Sequence, residues 1–290
     1  MTVFEKHMDW VSLNLDIEGA GLKNNGELLV ECKFKQFWTE SVEPHSDLIV
    51  QAILAGQRAG CLASVFIAGY QSAIRETFSG SDFSGWSAFA VSEDRKGNPP
   101  LPGVDYHEDG SDLIVSGHKT WVAAVDAIDE IIVKAGRGDR AIFIKLPRNI
   151  VGLSFSSRPS KFLSEMSQGS AHLADVCVSA EDVLDDRYVS FFGKLETLYI
   201  YLAFLAFIGA NTESLSLGEQ SFSAAKELED TLQGFSLKHD LDLDRIKRLD
   251  LEVQKIRESA TDELGVLQKN WSTDSRLISM YSPGIQKSSG

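Results

Sequence analysis

The sequence predicts an α+β chain in which helices precede and follow a block of short antiparallel strands. Three observations carry this. Apolar residues recur at helical spacing from Leu48 to Phe78. Short β-type runs separated by turn clusters fill the stretch from about Ala88 to Val178. Helical spacing then returns after Val189. The implied organisation is a helical region over 1–87, a β-domain over 88–186 and a helical region over 187–290.

Asp47 stands where an N-cap would open the first clear helix, whose stripe includes Ile53, Leu54, Leu62, Val65 and Phe66. Gly56, Gly60 and Gly69 interrupt it, or mark places where another helix comes close. Strands are expected at Ser87–Val91, Leu113–Ser116, Ile131–Ala135, Ala141–Lys145, Gly152–Phe155 and Ala171–Val178. Turn clusters lie between them, such as Glu108-Asp109-Gly110 and Gly136-Arg137-Gly138-Asp139. The run Leu198 to Ala210 is apolar nearly all round, which requires burial on every side. An amphipathic helix follows from Leu241 to about Trp271, and the polar tail 272–290 reads as loose. A bundle of so few helices leaves part of the apolar helix for another subunit to cover.

The formal charge of −14 and the pI near 4.9 argue against binding nucleic acid or anionic membranes, because nothing would neutralise phosphates. No run of about 18 apolar residues marks a membrane span, and the start lacks the pattern of a secretory leader. Cys32, Cys61 and Cys177 are odd in number and widely spaced, which fits free, buried thiols in a reducing cytoplasm. The six His residues, His7 among them, show no metal-ligand spacing. There is no Gly-x-Gly-x-x-Gly, Walker or Gly-x-Ser-x-Gly motif. The acidic pairs Glu181-Asp182 and Asp185-Asp186 read as a solvated turn.

The middle third is more specific. Phe89-Ala90-Val91-Ser92-Glu93 is followed by Gly117-His118-Lys119-Thr120-Trp121-Val122, then Gly152-Leu153-Ser154, then Val178-Ser179-Ala180-Glu181-Asp182-Val183-Leu184. In order and spacing this series resembles the central β-domain of the acyl-CoA dehydrogenase family. The resemblance implies an acyl-CoA dehydrogenase-like fold, FAD as cofactor, an acyl-CoA substrate and an oligomer. It places Val91, Ser92, Trp121 and Ala123 at the flavin ring.

Four features depart from the family pattern. Ala123 stands where the family carries a hydroxyl that reaches the flavin. Asp94-Arg95-Lys96-Gly97-Asn98-Pro99 replaces a Pro-Gly-Ala-Gly-Ser-Asp loop. The Arg-x-x-Phe-Gly motif that grips the FAD pyrophosphate of an adjacent subunit has only echoes, Gln220-Ser221-Phe222-Ser223 and Gln233-Gly234-Phe235-Ser236, without the Arg. The chain is also short, which predicts a truncated C-terminal bundle without the Tyr-Glu-Gly-Thr type segment that carries the catalytic Glu. A subgroup places its base on the first helix of that bundle, and Glu196 lies near this point. Three readings follow: an FAD-dependent acyl-CoA dehydrogenase, a degenerate subunit that pairs with a full-length dehydrogenase, or a flavin-dependent monooxygenase of the same fold.

Overall fold

The computed structural model describes residues 30–267 and 270–287. The helix expected before Val30, His7 and the chain start lie outside the described residues. Helix α1 (Glu31–Phe37) runs into a wide helical turn at Trp38–Val42. Helix α2 (Leu48–Arg58) opens at Asp47, whose Oδ1 accepts from the amides of Ile49 (2.9 Å) and Val50 (3.3 Å), satisfying two of the donors a helix start leaves free. The single helix expected over 48–78 breaks at Ala59–Cys61, where the chain is extended, and resumes as α3 (Leu62–Thr77).

The break lets both helices lie against α4 (Phe192–Asn211), the apolar helix. They lie very close. A Cβ at Gly56 would sit 2.3 Å from the Ala203 carbonyl oxygen, and one at Gly69 would sit 2.4 Å from the Ile200 nitrogen. The glycines therefore let helix backbones touch. Gly69→Ala is expected to cost about 2–3 kcal/mol, because backbone cannot step aside as a side chain can. A urea-unfolding midpoint is the measurement, and a loss below ~0.5 kcal/mol would refute the close-packing account.

Leu195 and every residue from Thr197 to Ile208 are buried in α4. The helix is long and apolar enough to cross a membrane, yet 72% of its most apolar window is enclosed by this chain. Helices α2 and α3 cover it on one side and α5 (Leu215–Lys238) and α6 (Leu243–Leu267) on the other. The described residues of the chain themselves bury this helix from Thr197 to Ile208.

Between α3 and α4 lie two sheets. β2 (Asp105–Asp109), β3 (Asp112–Ala123), β6 (Leu153–Arg158) and β7 (Gln168–Val178) form an antiparallel sheet in the order β2-β3-β7-β6. β1 (Ser87–Ala90), β4 (Glu130–Ala135) and β5 (Ile142–Pro147) form the other. Here β1 and β4 are parallel, unlike the antiparallel pairing expected throughout. A parallel pair needs a long crossover, and the chain supplies one by building β2 and β3 in the other sheet before it returns.

The tail also differs from expectation. It is helical, as a short turn α7 (Trp271–Asp274) and then α8 (Arg276–Lys287). Leu277, Ile278 and Ile285 are buried there. Asp250 of α6, fully buried, accepts hydrogen bonds from Tyr201 Oη, Ser282 Oγ and Gln286 Nε2, each 2.7 Å long. The polar residues that made the tail look loose are thus partners of one buried acid. Among the thiols only Cys61 is buried as expected. Cys32 and Cys177 are exposed, because each falls on the solvent side of an element whose neighbours face the core.

Candidate active site

β1 ends at Ala90 and leaves Val91, 45% exposed, and Ser92 beyond it. β3 brings the Trp segment alongside: the Thr120 amide donates to the Ser92 carbonyl at 2.9 Å. A buried ion pair joins the flanks of this junction. Lys119 Nζ, with no solvent exposure, lies 2.7 Å from Glu93 Oε1. Burial works against both charges, yet the pair holds the Glu93 carboxyl below its ordinary value; burial pulls Lys119 down. Glu93 and Lys119 stand in the quoted motifs, but their pairing is a product of the fold and has no sequence signal.

Trp121 is half-buried. Its indole N–H donates to Gln168 Oε1 (3.3 Å), and its ring meets Phe66 edge-on at 6.1 Å. Phe66 stacks on Tyr70 at 5.0 Å, and Tyr70 meets Phe192 edge-on at 6.2 Å. Tyr70 is fixed on β1, because its hydroxyl accepts from the Phe89 amide (2.7 Å) and donates to the Phe89 carbonyl (3.2 Å). An aromatic path therefore runs from the Trp segment across α3 to the start of α4.

Glu196 is at the end of that path, one turn after Phe192 and so on the same helix face. It is half-buried, and no described residue gives it a hydrogen bond or a cation. Burial pushes its carboxyl up to about 8. Its charge acts on Tyr70 and on Tyr281 of α8, both of which it helps to keep protonated. Helix α8 carries no acid, so the carboxylate facing this cluster comes from α4 and not from the chain end.

The structure brings Val91, Ser92 and Trp121 together and sets Glu196 across the aromatic path from them. Ala123 is 1% exposed and pairs with Gln168 across the sheet, so it offers neither a hydroxyl nor an open side chain. Arg158 of β6 donates to the Thr120 carbonyl, an exposed cation beside the Trp segment that the motifs do not flag. The two Arg-less echoes lie on α5: Phe222 is exposed there and Phe235 is buried against Phe191.

No family model matches the sequence, and no curated protein matches it. Solved structures do match. An acyl-CoA dehydrogenase from Geobacillus kaustophilus superposes with a TM-score of 0.66 at 10% identity, covering 98% of this chain and 98% of that one. The chain has the acyl-CoA dehydrogenase fold. The butyryl-CoA dehydrogenase of Megasphaera elsdenii gives 0.61 at 9% identity, over 94% of this chain and 90% of that one. An FAD complex of PigA gives 0.56 at 12%, over 94% and 88%. Within this fold Val91, Ser92 and Trp121 meet at the Ser92–Trp121 junction, and neither echo on α5 carries an arginine.

Proposed function

We propose that the chain is a flavoprotein oxidoreductase acting on the CH–CH bond of an acyl-CoA thioester. The observation that carries this is Glu196: a carboxyl with no partner among the described residues, raised to about 8 by burial, joined by packed rings to the Ser92–Trp121 junction. Such a carboxyl suits removal of a weakly acidic α-proton, which calls for a dry, well-placed base. Val91 and Ser92 would hold the flavin's pyrimidine side through their main chain, and Trp121 would pack against the ring. Bound FAD supplies the acceptor for the β-hydride. Glu196 takes the α-proton onto its carboxylate, so two hydrogens leave the substrate as a proton and a hydride. The exposed thiols of Cys32 and Cys177 suit the reducing cytoplasm.

The missing arginine supports a second reading. Loss of a charge-assisted phosphate contact costs about 1.5–3 kcal/mol, roughly 10- to 150-fold in FAD affinity. A full-length dehydrogenase subunit would restore that contact in a heteromer. Purification alone and after co-expression with such a subunit separates the two. Retained visible flavin absorbance in the chain alone supports the self-sufficient enzyme, and yellow colour only in the complex supports the paired subunit. A colourless protein in both preparations would refute the flavin assignment.

A further inference from the structure

The Trp segment is not held by the ladder of its own sheet. β3 and β7 pair Lys119 with Ala171 and Val122 with Gly169, so β3 has one residue more than β7 between these pairs. A bulge of this kind takes backbone out of the ladder and re-aims side chains. The backbone of Thr120 accordingly bonds elsewhere. Its amide donates to the Ser92 carbonyl at 2.9 Å, and its carbonyl accepts from Arg158. A single amide bond at a partly exposed place is a weak tie in net terms. Something further must fix the Trp segment against the end of β1.

The side chains on either side of that bond supply it. Lys119 precedes Thr120 and Glu93 follows Ser92, and Lys119 Nζ meets Glu93 Oε1 at 2.7 Å. The link is charge-assisted, and its lysine has no exposure. Glu93 is anchored in turn: Oε1 also accepts from the Val104 amide at 3.3 Å, and Oε2 lies 3.9 Å from Arg137. Burial, and then the nearby Lys134 and Arg137, work against the Lys119 charge, and Glu93 is the acid among the described residues that supports it. We infer, resting on the flavoprotein reading above, that Glu93 and Lys119 are positioning residues for the flavin ring: their ion pair fixes the spacing of Ser92 and Trp121 that the bulged sheet leaves unfixed. They act through those two residues.

Positioning and stability separate on substitution. Glu93→Gln strands a fully buried ammonium and should lower the melting temperature by at least about 5 °C. Lys119→Met should cost less, because Glu93 is 22% exposed and keeps Arg137 nearby. The double variant Glu93→Gln, Lys119→Met carries neither charge and keeps an acceptor for the Val104 amide. It should melt within about 2 °C of the parent, yet it lacks the clamp. The probe is FAD, added to flavin-stripped protein in whichever preparation carries flavin, the chain alone or the complex, and measured by visible absorbance after equilibrium dialysis. The double variant is expected to bind FAD at least about ten-fold more weakly than the parent, because its site is no longer preorganised. Without FAD, its Thr120 amide should exchange hydrogen at least about ten-fold faster. If the double variant does not fold, Lys119→Met carries the same two readings. Parent-like FAD affinity or parent-like Thr120 exchange would overturn the positioning role and leave the flavoprotein reading standing. A parent that takes up no FAD in either preparation would overturn both.

Discussion

Glu196→Gln is expected to lower turnover of an acyl-CoA thioester by about 10²- to 10⁴-fold, the usual effect of losing a general base. It should do so without loss of stability. The parent's rate should rise with pH toward a limb near 8, where the carboxyl ionises, and the variant should lack that limb. Stability supplies a check that needs no substrate. In the unfolded chain this Glu loses its proton near its ordinary value of 4.5, whereas in the folded chain it keeps it to about 8. Between those values the folded state holds the extra proton. The contribution to stability is therefore full below pH 4.5 and falls as pH rises, by at most about 1.4 kcal/mol per pH unit, until it is gone above about 8. Glu196→Gln removes that slope and should leave the protein ~2–4 kcal/mol more stable than the parent at the alkaline end. Parallel urea melts of the two proteins across this range decide it; identical slopes would mean that Glu196 is not desolvated.

Asp250→Ala is expected to be a damaging change, at about 2–3 kcal/mol. Asp250 gathers Tyr201 of α4, Gln254 of its own helix, and Ser282 and Gln286 of α8. Its removal leaves Ser282 Oγ without its acceptor, while Tyr201 and Gln254 retain the Ile278 carbonyl and Gln286 the Lys247 carbonyl. The loss should fall first on α8, so its amides should exchange hydrogen faster than those of α4. Asp250→Asn keeps the shape and an acceptor, and should cost less than half as much. Equal losses for the two variants would show that the carboxylate matters there and the volume does not. Since Tyr281 rides on α8 beside Glu196, Asp250→Ala should also lower the Glu196 titration as water reaches the cluster.

The junction proposed to face a flavin ring was legible because it rests on local sequence. Val91 and Ser92 follow a strand whose apolar run is visible, and Trp121 sits in a motif of fixed spacing. Glu196 was visible only as an acid near the start of a greasy helix. Nothing local says that Tyr70 and Tyr281 surround it, because those residues come from α3 and α8, far apart in the chain. The tail misled for a related reason. Ser282 and Gln286 are polar, and polar residues signal solvent unless a buried acid waits for them.

By itself the sequence determined the order of helices, strands and helices, the N-cap at Asp47, the burial of the helix around Leu198–Ala210, and the glycines that permit close helix approach. Each follows from the spacing of apolar residues or from the backbone freedom of single residues. Only the tertiary structure decided that α2 and α3 are two helices, that β1 and β4 run parallel, that this chain covers its own apolar helix, and that burial raises the Glu196 carboxyl, which no described residue pairs. Those outcomes depend on which surfaces meet and on how much water they exclude. Burial and the local dielectric are properties of the packed whole, which no window of the sequence contains.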